Sequence, residues 1–347
     1  MIFLGFETSC DDTSVSLYCT NRGIIANLVN NQFNIHNHYG GVVPELASRD
    51  HLNKISDLTK RVFEDSGLSL SDIDAIAYTL GPGLNGSLLI GSTFAQSLAW
   101  SMDLPAIPIH HLEGHLLSPL IFQKKFNFPF IALLVSGGHT QLIVVKEIGS
   151  YNIIADTLDD AAGEAFDKTA KLMGLEYCNG LEISRLAMLG DHTIFNLPKP
   201  MFNSDSLDFS FSGLKTSVML KIKELKAHNK FDNLTKCHMS SSIQKSIIDI
   251  LVRKSYLAIK KTGITNLVVA GGVSANNLLR SRMSEMIESV SGDIYFPPIN
   301  LCTDNAAMIA FAASLRVQHN LIDLKNLKYN LSTKARWDLR SVNDIYI

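Results

Sequence analysis

Cysteine is scarce and scattered in this chain. Its five cysteines, Cys10, Cys19, Cys178, Cys237 and Cys302, form no CxxC pair among 347 residues. An odd, dispersed set excludes a disulfide framework and a cysteine zinc knuckle, and fits a reducing cytoplasm. Long hydrophobic runs are absent as well. Nothing approaches the ~18 apolar residues that cross a bilayer, so no membrane association is expected. The opening MIFLGFETSC has no basic stretch ahead of its apolar residues, so no secretory signal is expected at this end. Neither sign of charge dominates: the formal net charge is −2 and the pI is near 6.6, which argues against indiscriminate binding of polyanions. Any nucleic acid must therefore meet a local basic patch or a partner's. No GxxxxGKS/T loop occurs, which excludes a Walker-type ATPase.

What is present describes an ordinary folded chain. It is 46% hydrophobic and 18% charged, at a length beyond one core, so two lobes are expected. MIFLGFE and TSVSLYCT read as strands joined by the polar turn TSCDD, and FIALLV and TQLIVV as strands around SGGH. Two strand–turn–strand units of one pattern suggest a duplication. Between them, PELASRDHLNKISDLTKRVFEDSG has helical spacing, a proline near its start and Gly67 as its stop. IDAIAYT and AIPI read as strands, and GSLLIGSTFAQSLAWSM as a buried helix. Helices follow at about 161–174, 181–189, 213–227 and 240–262. Then come the strand LVVA, the turn GGVSANNLL with a helix behind it, and a last helix from near Asp304. Alternating strands and helices make this an α/β protein. With no low-complexity linker, the lobes are expected to pack closely around a cleft.

The glycine loops differ in what they say. GPGLNG (81–86) matches GxGxxG between a strand and a helix, the dinucleotide pattern. That reading needs an acid at the end of the next strand, where AIPIH ends in histidine, so a tight turn with close helix packing is favoured. SGGH (136–139) and AGGVSANN (270–277) put paired glycines at strand ends. There, backbone N–H groups approach a phosphate or base with no Cβ in the way; each is otherwise a plain tight turn. Together with the acidic hairpin ETSCDDT they have the layout of an actin-like nucleotide clamp.

HHLEGH (110–115) carries histidines four apart around a glutamate. Residues i and i+4 share a helix face, so His111 and His115 can hold one metal ion. The zincin motif HExxH places its glutamate directly after the first histidine; Leu112 stands there and Glu113 faces elsewhere, which disfavours a metalloprotease. Asp304, at a helix start, is the candidate third ligand. Two imidazoles and a carboxylate suit Fe(II) or Zn(II) and leave positions open for substrate. Non-haem iron oxygenases use the same set, so the ligands alone name no reaction.

Taken in order, GFETSCDDTSVSLY, GGVVPELASRDH, GPGLNGSLLIG, HHLEGH, LLVSGGHTQL, DDAAGEAFDKTAKLMGL, DFSFSGLKT, VVAGGVSANNLLR and CTDNAAMIA resemble the blocks of the TsaD family. These are the tRNA threonylcarbamoyladenosine transferases, once called O-sialoglycoprotein endopeptidases. The blocks run from Ile2 to about Ala312, nearly the whole chain. Leu134 stands where the archaeal and eukaryotic branch has a tyrosine beside the metal, so the resemblance is to the bacterial branch. It implies an actin-like (ASKHA) two-lobed α/β fold, each lobe a mixed sheet with helices, and nucleotide and metal in the cleft. The lobes expected are 1–107, with 305–347 packing back on it, and 108–304 carrying the metal and nucleotide site.

The activity implied is transfer of threonylcarbamoyl from threonylcarbamoyl-AMP to the adenosine 3′ of the anticodon, in tRNAs reading codons that start with A. His111, His115 and Asp304 match the family's ligands for one divalent ion, with Fe(II) favoured and Zn(II) the alternative. Leu134, Val135, Ser136, Gly137, Gly138, Asp167, Gly180 and Asn276 match its substrate-binding positions. The family's YPGGP stretch reads YCNGL here, keeping Gly180, and Ser184 stands where many members have an aspartate. Implied partners are tRNA, a TsaB-like paralogue and a TsaE-like P-loop ATPase, with the apolar helix GSLLIGSTFAQSLAW available for pairing. Asp11 in the acidic turn is the candidate acceptor of the amine's proton. Lys325, Lys328, Lys334 and Arg336 give the C-terminal segment local positive charge. An actin-like ATPase or kinase and a metal-dependent peptidase are the rival readings.

Overall fold

The computed structural model describes every residue except Gly40, Lys124, Lys125, Asn326, Lys328, Asn330 and Ile347. Of the basic C-terminal residues, Lys328 thus lies outside the described residues. The chain runs β1 (Ile2–Glu7), β2 (Asp12–Cys19), β3 (Gly23–Asn31), α1 (Phe33–Asn37), α2 (Pro44–Ser66), β4 (Ala75–Gly81), α3 (Asn85–Ser101), β5 (Ala106–His110) and α4 (His111–Leu117). It continues through β6 (Phe130–Val135), β7 (Thr140–Glu147), β8 (Ser150–Ala155), α5 (Ala162–Met173), α6 (Gly180–Ala187), α7 (Ser212–Ala227) and α8 (Asn233–Thr262). The last elements are β9 (Leu267–Ala270), α9 (Asn277–Glu288), β10 (Ile294–Tyr295) and α10 (Ala306–Gln318).

Contacts divide the chain into two compact units. One comprises Met1–Phe126, Glu147–Tyr151 and Thr303–Ile347; the other comprises Asn127–Lys146 and Asn152–Cys302. The boundary expected at 107/108 falls inside the first unit. The physical reason is that β5 runs directly into α4, and α4 packs against α10. His111, His115 and Asp304 therefore all belong to the first unit.

The first unit holds a five-stranded sheet in the order β3-β2-β1-β4-β5. β1 pairs antiparallel with β2, from Ile2 opposite Cys19 to Glu7 opposite Ser14, and parallel with β4. The near-continuous apolar letters of β1 and β4 follow from burial on both faces of a covered sheet. α2 begins with Pro44 at its first turn and stops at Gly67, whose φ of 69° is the left-handed conformation that a Cβ disfavours. α10 packs against β1 and β2. Gly5 permits the approach, because a Cβ there would lie 2.6 Å from the Ala306 carbonyl oxygen. Ala306 N also donates to Ser14 Oγ at 2.8 Å, which fixes the start of α10 beside the β1–β2 hairpin.

The second unit holds a five-stranded sheet in the order β10-β9-β6-β7-β8. β6 pairs antiparallel with β7 and parallel with β9. Numbered from its own first strand, each sheet has the same order, third-second-first-fourth-fifth. The duplication expected from the two hairpins is thus present in the topology, and it includes β3, to which the sequence reading assigned no strand. α8 starts earlier than its apolar periodicity indicates, capped by Asp232, which accepts from Thr235 N at 2.8 Å. No helix among the described residues is long and apolar enough to cross a membrane.

Candidate functional site

His110, the last residue of β5, caps the helix that follows. Its Nδ1 accepts from Leu112 N at 3.1 Å and its Nε2 bonds the Trp337 carbonyl at 3.1 Å. α4 therefore starts at His111, and His111 and His115 present their rings on one face, 4.7 Å apart between centroids. Asp304, just ahead of α10, meets them: its Oδ1 lies 2.9 Å from His115 Nε2 and 3.6 Å from His111 Nε2. Donor atoms from all three lie within 4.8 Å of one another.

Glu7, at the end of β1, is the buried neighbour of His111 that the sequence reading missed. It is fully buried, accepts from Thr79 Oγ1 at 2.6 Å, and faces His111 Nδ1 at 3.0 Å; Ser9 Oγ lies 3.1 Å from the same nitrogen. A carboxylate only accepts, so Nδ1 carries the proton and Nε2 is free to ligate. The signal was present: an acid closing an otherwise apolar strand is costly unless it is paired.

Electrostatics fit the donor set to a cation. Burial raises the Glu7 carboxyl, but His111, by charge and hydrogen bond, outweighs it and holds Glu7 below the ordinary range. Burial works downward on His111, while Glu7 and Asp304 carry it up to about 9. Asp12 is pushed up to about 8 by burial, then by Asp304 and Asp11. Carboxyls thus outnumber imidazoles around the β1–β2 turn, and a divalent ion would offset the surplus negative charge. Asp11 is half-buried on the same turn, its backbone carbonyl accepting from Gln32 N at 3.2 Å.

Glu113 points to the other side of α4 and is fully occupied. Its oxygens take a bidentate pair from Arg316 of α10, at 2.7 and 2.8 Å, and the Tyr151 hydroxyl at 2.6 Å. Both members of the ion pair are 0% exposed. Arg316 also donates to Asn343 Oδ1 at 3.1 Å and stacks on Tyr346. Glu113 is therefore a structural anchor that locks the histidine helix to α10, and it is not placed to activate a water as a peptidase would require.

In the second unit the two glycine turns lie side by side, because Leu134 of β6 pairs with Ala270 of β9. Leu134 and Val135 are fully buried, so only their backbone is available; Ser136 is half-buried, and Gly137 and Gly138 are exposed. Cβ atoms built on Gly137, Gly138 or Gly272 would meet nothing within 4 Å, so these backbones border open space. Gly271 has φ 91°, and a Cβ there would lie 2.5 Å from the Val135 carbonyl oxygen. The first turn of α5 closes on the same loop, with Gly163 N donating to Ser136 O at 3.2 Å.

Asp167, one helical turn beyond Gly163, accepts from Gly180 N at 3.1 Å. Ser184 Oγ donates to Gly180 O at 2.8 Å and accepts from Asn276 Nδ2 at 2.8 Å, and Asn276 also reaches Gln244 Oε1 at 2.8 Å. Asp167, Gly180 and Asn276, distant in sequence, are thus members of one hydrogen-bonded chain. Ser184 is its bridge, which gives that serine a structural task. Asn179 of YCNGL caps α6 by accepting from Glu182 N at 2.9 Å.

Comparison with known proteins adds a family. The family profile for TsaD, tRNA N6-adenosine threonylcarbamoyltransferase, matches residues 23–311. The chain is 54% identical over 339 residues to the protein of that name from Bordetella avium, covering 98% of each. It is 49% identical over 343 residues to the one from Chromobacterium violaceum, covering 99% of each. Among solved structures it is similar to full-length HypF in its phosphate- and nucleotide-bound form, at a TM-score of 0.58 and 14% identity. That match covers 92% of this chain and 46% of HypF. Component A of (R)-2-hydroxyglutaryl-CoA dehydratase from Acidaminococcus fermentans matches with a TM-score of 0.50 and 16% identity, over 90% of this chain and 99% of that one. At such identities the likeness is one of fold, the actin-like α/β fold.

Proposed function

Since the chain belongs to the TsaD family of tRNA N6-adenosine threonylcarbamoyltransferases, we propose that it acts on the adenosine immediately 3′ of the anticodon. The acceptor tRNAs are those reading codons that start with A, and the donor is threonylcarbamoyl-AMP. The observation that carries the reading is the convergence of His111, His115 and Asp304 in a chain whose glycine turns border open space.

The reaction is acyl transfer from a mixed anhydride. The adenosine N6 attacks the carbamoyl carbon, the bond to the phosphate oxygen breaks, and AMP leaves with the electron pair. AMP is already a good leaving group, so the protein's work is positioning and charge control. The backbone N–H groups of Ser136, Gly137 and Gly138 would bind phosphate oxygens. Asp167, with Gly180 and Asn276, would receive the ribose hydroxyls. Asp11 would take the proton that N6 releases.

His111, His115 and Asp304 would hold one divalent ion, Fe(II) or alternatively Zn(II), with Glu7 and Ser9 orienting the first histidine. When bound, it supplies Lewis-acid stabilisation of developing negative charge. Work in the cytoplasm with a TsaB-like paralogue and a TsaE-like ATPase accords with the resemblance. On α3, Leu89 and Trp100 are exposed while Leu88, Ala95 and Ala99 are buried, so that helix serves the core and still offers an apolar outer face.

The test is reconstitution with unmodified tRNA, bicarbonate, threonine, ATP and the partner proteins, followed by mass analysis of the nucleosides. Threonylcarbamoyladenosine is expected with the wild type and at least tenfold less with His111→Ala. Its absence with the wild type would sink the reading.

A further inference from the structure

Within the second unit, α8 lines a pocket of about 300 Å³. Lys245, Asp249, Arg253 and Tyr256 follow at three- and four-residue steps, so one face of α8 makes a wall. Arg282 of α9 makes another, and Phe202 adds an aromatic ring from the segment before α7. That segment is fastened to α8. The buried Lys254 donates to the carbonyls of Ser204 and Ser206, at 3.2 and 2.5 Å, and Lys261 to that of Asp205 at 2.5 Å. Phe202 thus stands two residues ahead of a stretch fixed to α8.

The charges in the pocket do not balance. Asp249, buried, is met by Lys199 at 2.6 Å, Lys245 at 3.2 Å and Arg282 at 3.7 Å. Glu285 lies 3.5 Å from Arg282 and is exposed. Arg253 is a further cation on the wall, and among the described residues it makes no ion pair or hydrogen bond. Four cations around two carboxylates leave a positive surplus on a chain whose net charge is −2. Lys199 lies over the Phe202 ring at 5.4 Å and Lys260 over Tyr256 at 5.5 Å. Cations beside aromatic faces are the combination that binds a phosphodiester together with its base: charge for the phosphate, a ring for stacking. An acidic protein would use the charges alone; Phe202 and Tyr256, half-buried against the core with a lysine beside each, add ring surface that a base can also use.

We propose that this pocket is an RNA contact, taking one phosphodiester and an adjoining unstacked base of the tRNA substrate. The proposal rests on the family reading that the chain acts on tRNA, and it supplies the local basic patch that the near-neutral pI requires.

The test uses the full chain, with and without the partner proteins its activity needs, and unmodified tRNA as the probe. Affinity is measured across a salt series for wild type, Arg253→Ala, Arg253→Glu and, as a reference, His111→Ala. Arg253→Ala is expected to weaken tRNA binding about fivefold and to reduce the slope of log affinity against log salt by about one, with a larger loss for Arg253→Glu. KM for tRNA should rise far more than kcat at saturating tRNA falls. His111→Ala should bind tRNA as wild type does while losing transfer. Wild-type affinity and slope in both Arg253 variants overturn the pocket alone, with the family reading intact. A loss seen only when partner proteins are present assigns the pocket to a protein and overturns the RNA contact. A wild type that neither binds nor modifies tRNA overturns both.

Discussion

Glu7 Oε2 and His111 Nδ1 are 3.0 Å apart, although 104 residues separate them in the chain. The contact fixes the histidine's tautomer and leaves Nε2 facing Asp304. Glu7→Gln keeps the shape and removes the charge. It is expected to lower metal affinity about tenfold to a hundredfold, read by titration against a competing chelator, with helix content by circular dichroism unchanged. Metal affinity equal to wild type would remove Glu7 from the site.

The same pair gives a pH dependence. In the metal-free protein His111 is raised to about 9, from about 6.5 in an unfolded chain. A raised cation contributes its stability fully below about 6.5 and loses it as pH climbs through about 9. Asp12, raised to about 8, acts in the same direction, since its proton is bound more tightly in the folded state. Chelator-treated protein is therefore expected to melt at a lower temperature at about pH 9.5 than at about pH 6.5. Metal must displace the His111 proton, so its apparent affinity should rise about tenfold per pH unit up to about 9. An affinity flat between pH 7 and 9 would contradict this; melting temperature and metal titration read the two effects separately.

Asp11→Asn is expected to slow transfer about a hundredfold, with little change in donor KM. A wild-type rate in Asp11→Asn, with the loss appearing in Asp12→Asn, would move the proton acceptor one residue along the turn.

Arg316→Ala should destabilise the chain by about 3–5 kcal/mol, because it leaves Glu113 buried and unpaired. Replacing both partners, Glu113→Leu with Arg316→Met, should cost less than the single change. Denaturant midpoints measure both. A single variant as stable as wild type would show that Glu113 finds another partner.

Much of this was legible in the letters. Pro44 and Gly67 bounded α2 correctly, the SGGH hairpin fell between two strands, and His111, His115 and Asp304 do converge. These depend on local stereochemistry or on motif spacing. What escaped depends on tertiary pairing. β3 has a mixed pattern, GIIANLVNN, because it lies at the end of its sheet beside β2 alone. Glu7 and Arg316 carry no periodic signal, and the ionic partner of each, His111 and Glu113, lies more than a hundred residues away. The extent of the first unit escaped because α4 reads as a new start in sequence and is held in place by α10.

Both sheets are laid down to one plan, yet the tip of the leading hairpin is TSCDD in one and SGGH in the other. Two hairpins of one topology thus end in different chemistry: side-chain carboxylates at one tip, bare backbone amides at the other. Each tip is then free to change without retuning the other. A substitution is therefore expected to cost more at the acidic tip, where it removes a carboxylate, than alanine at Gly137 or Gly138, where a Cβ meets nothing within 4 Å.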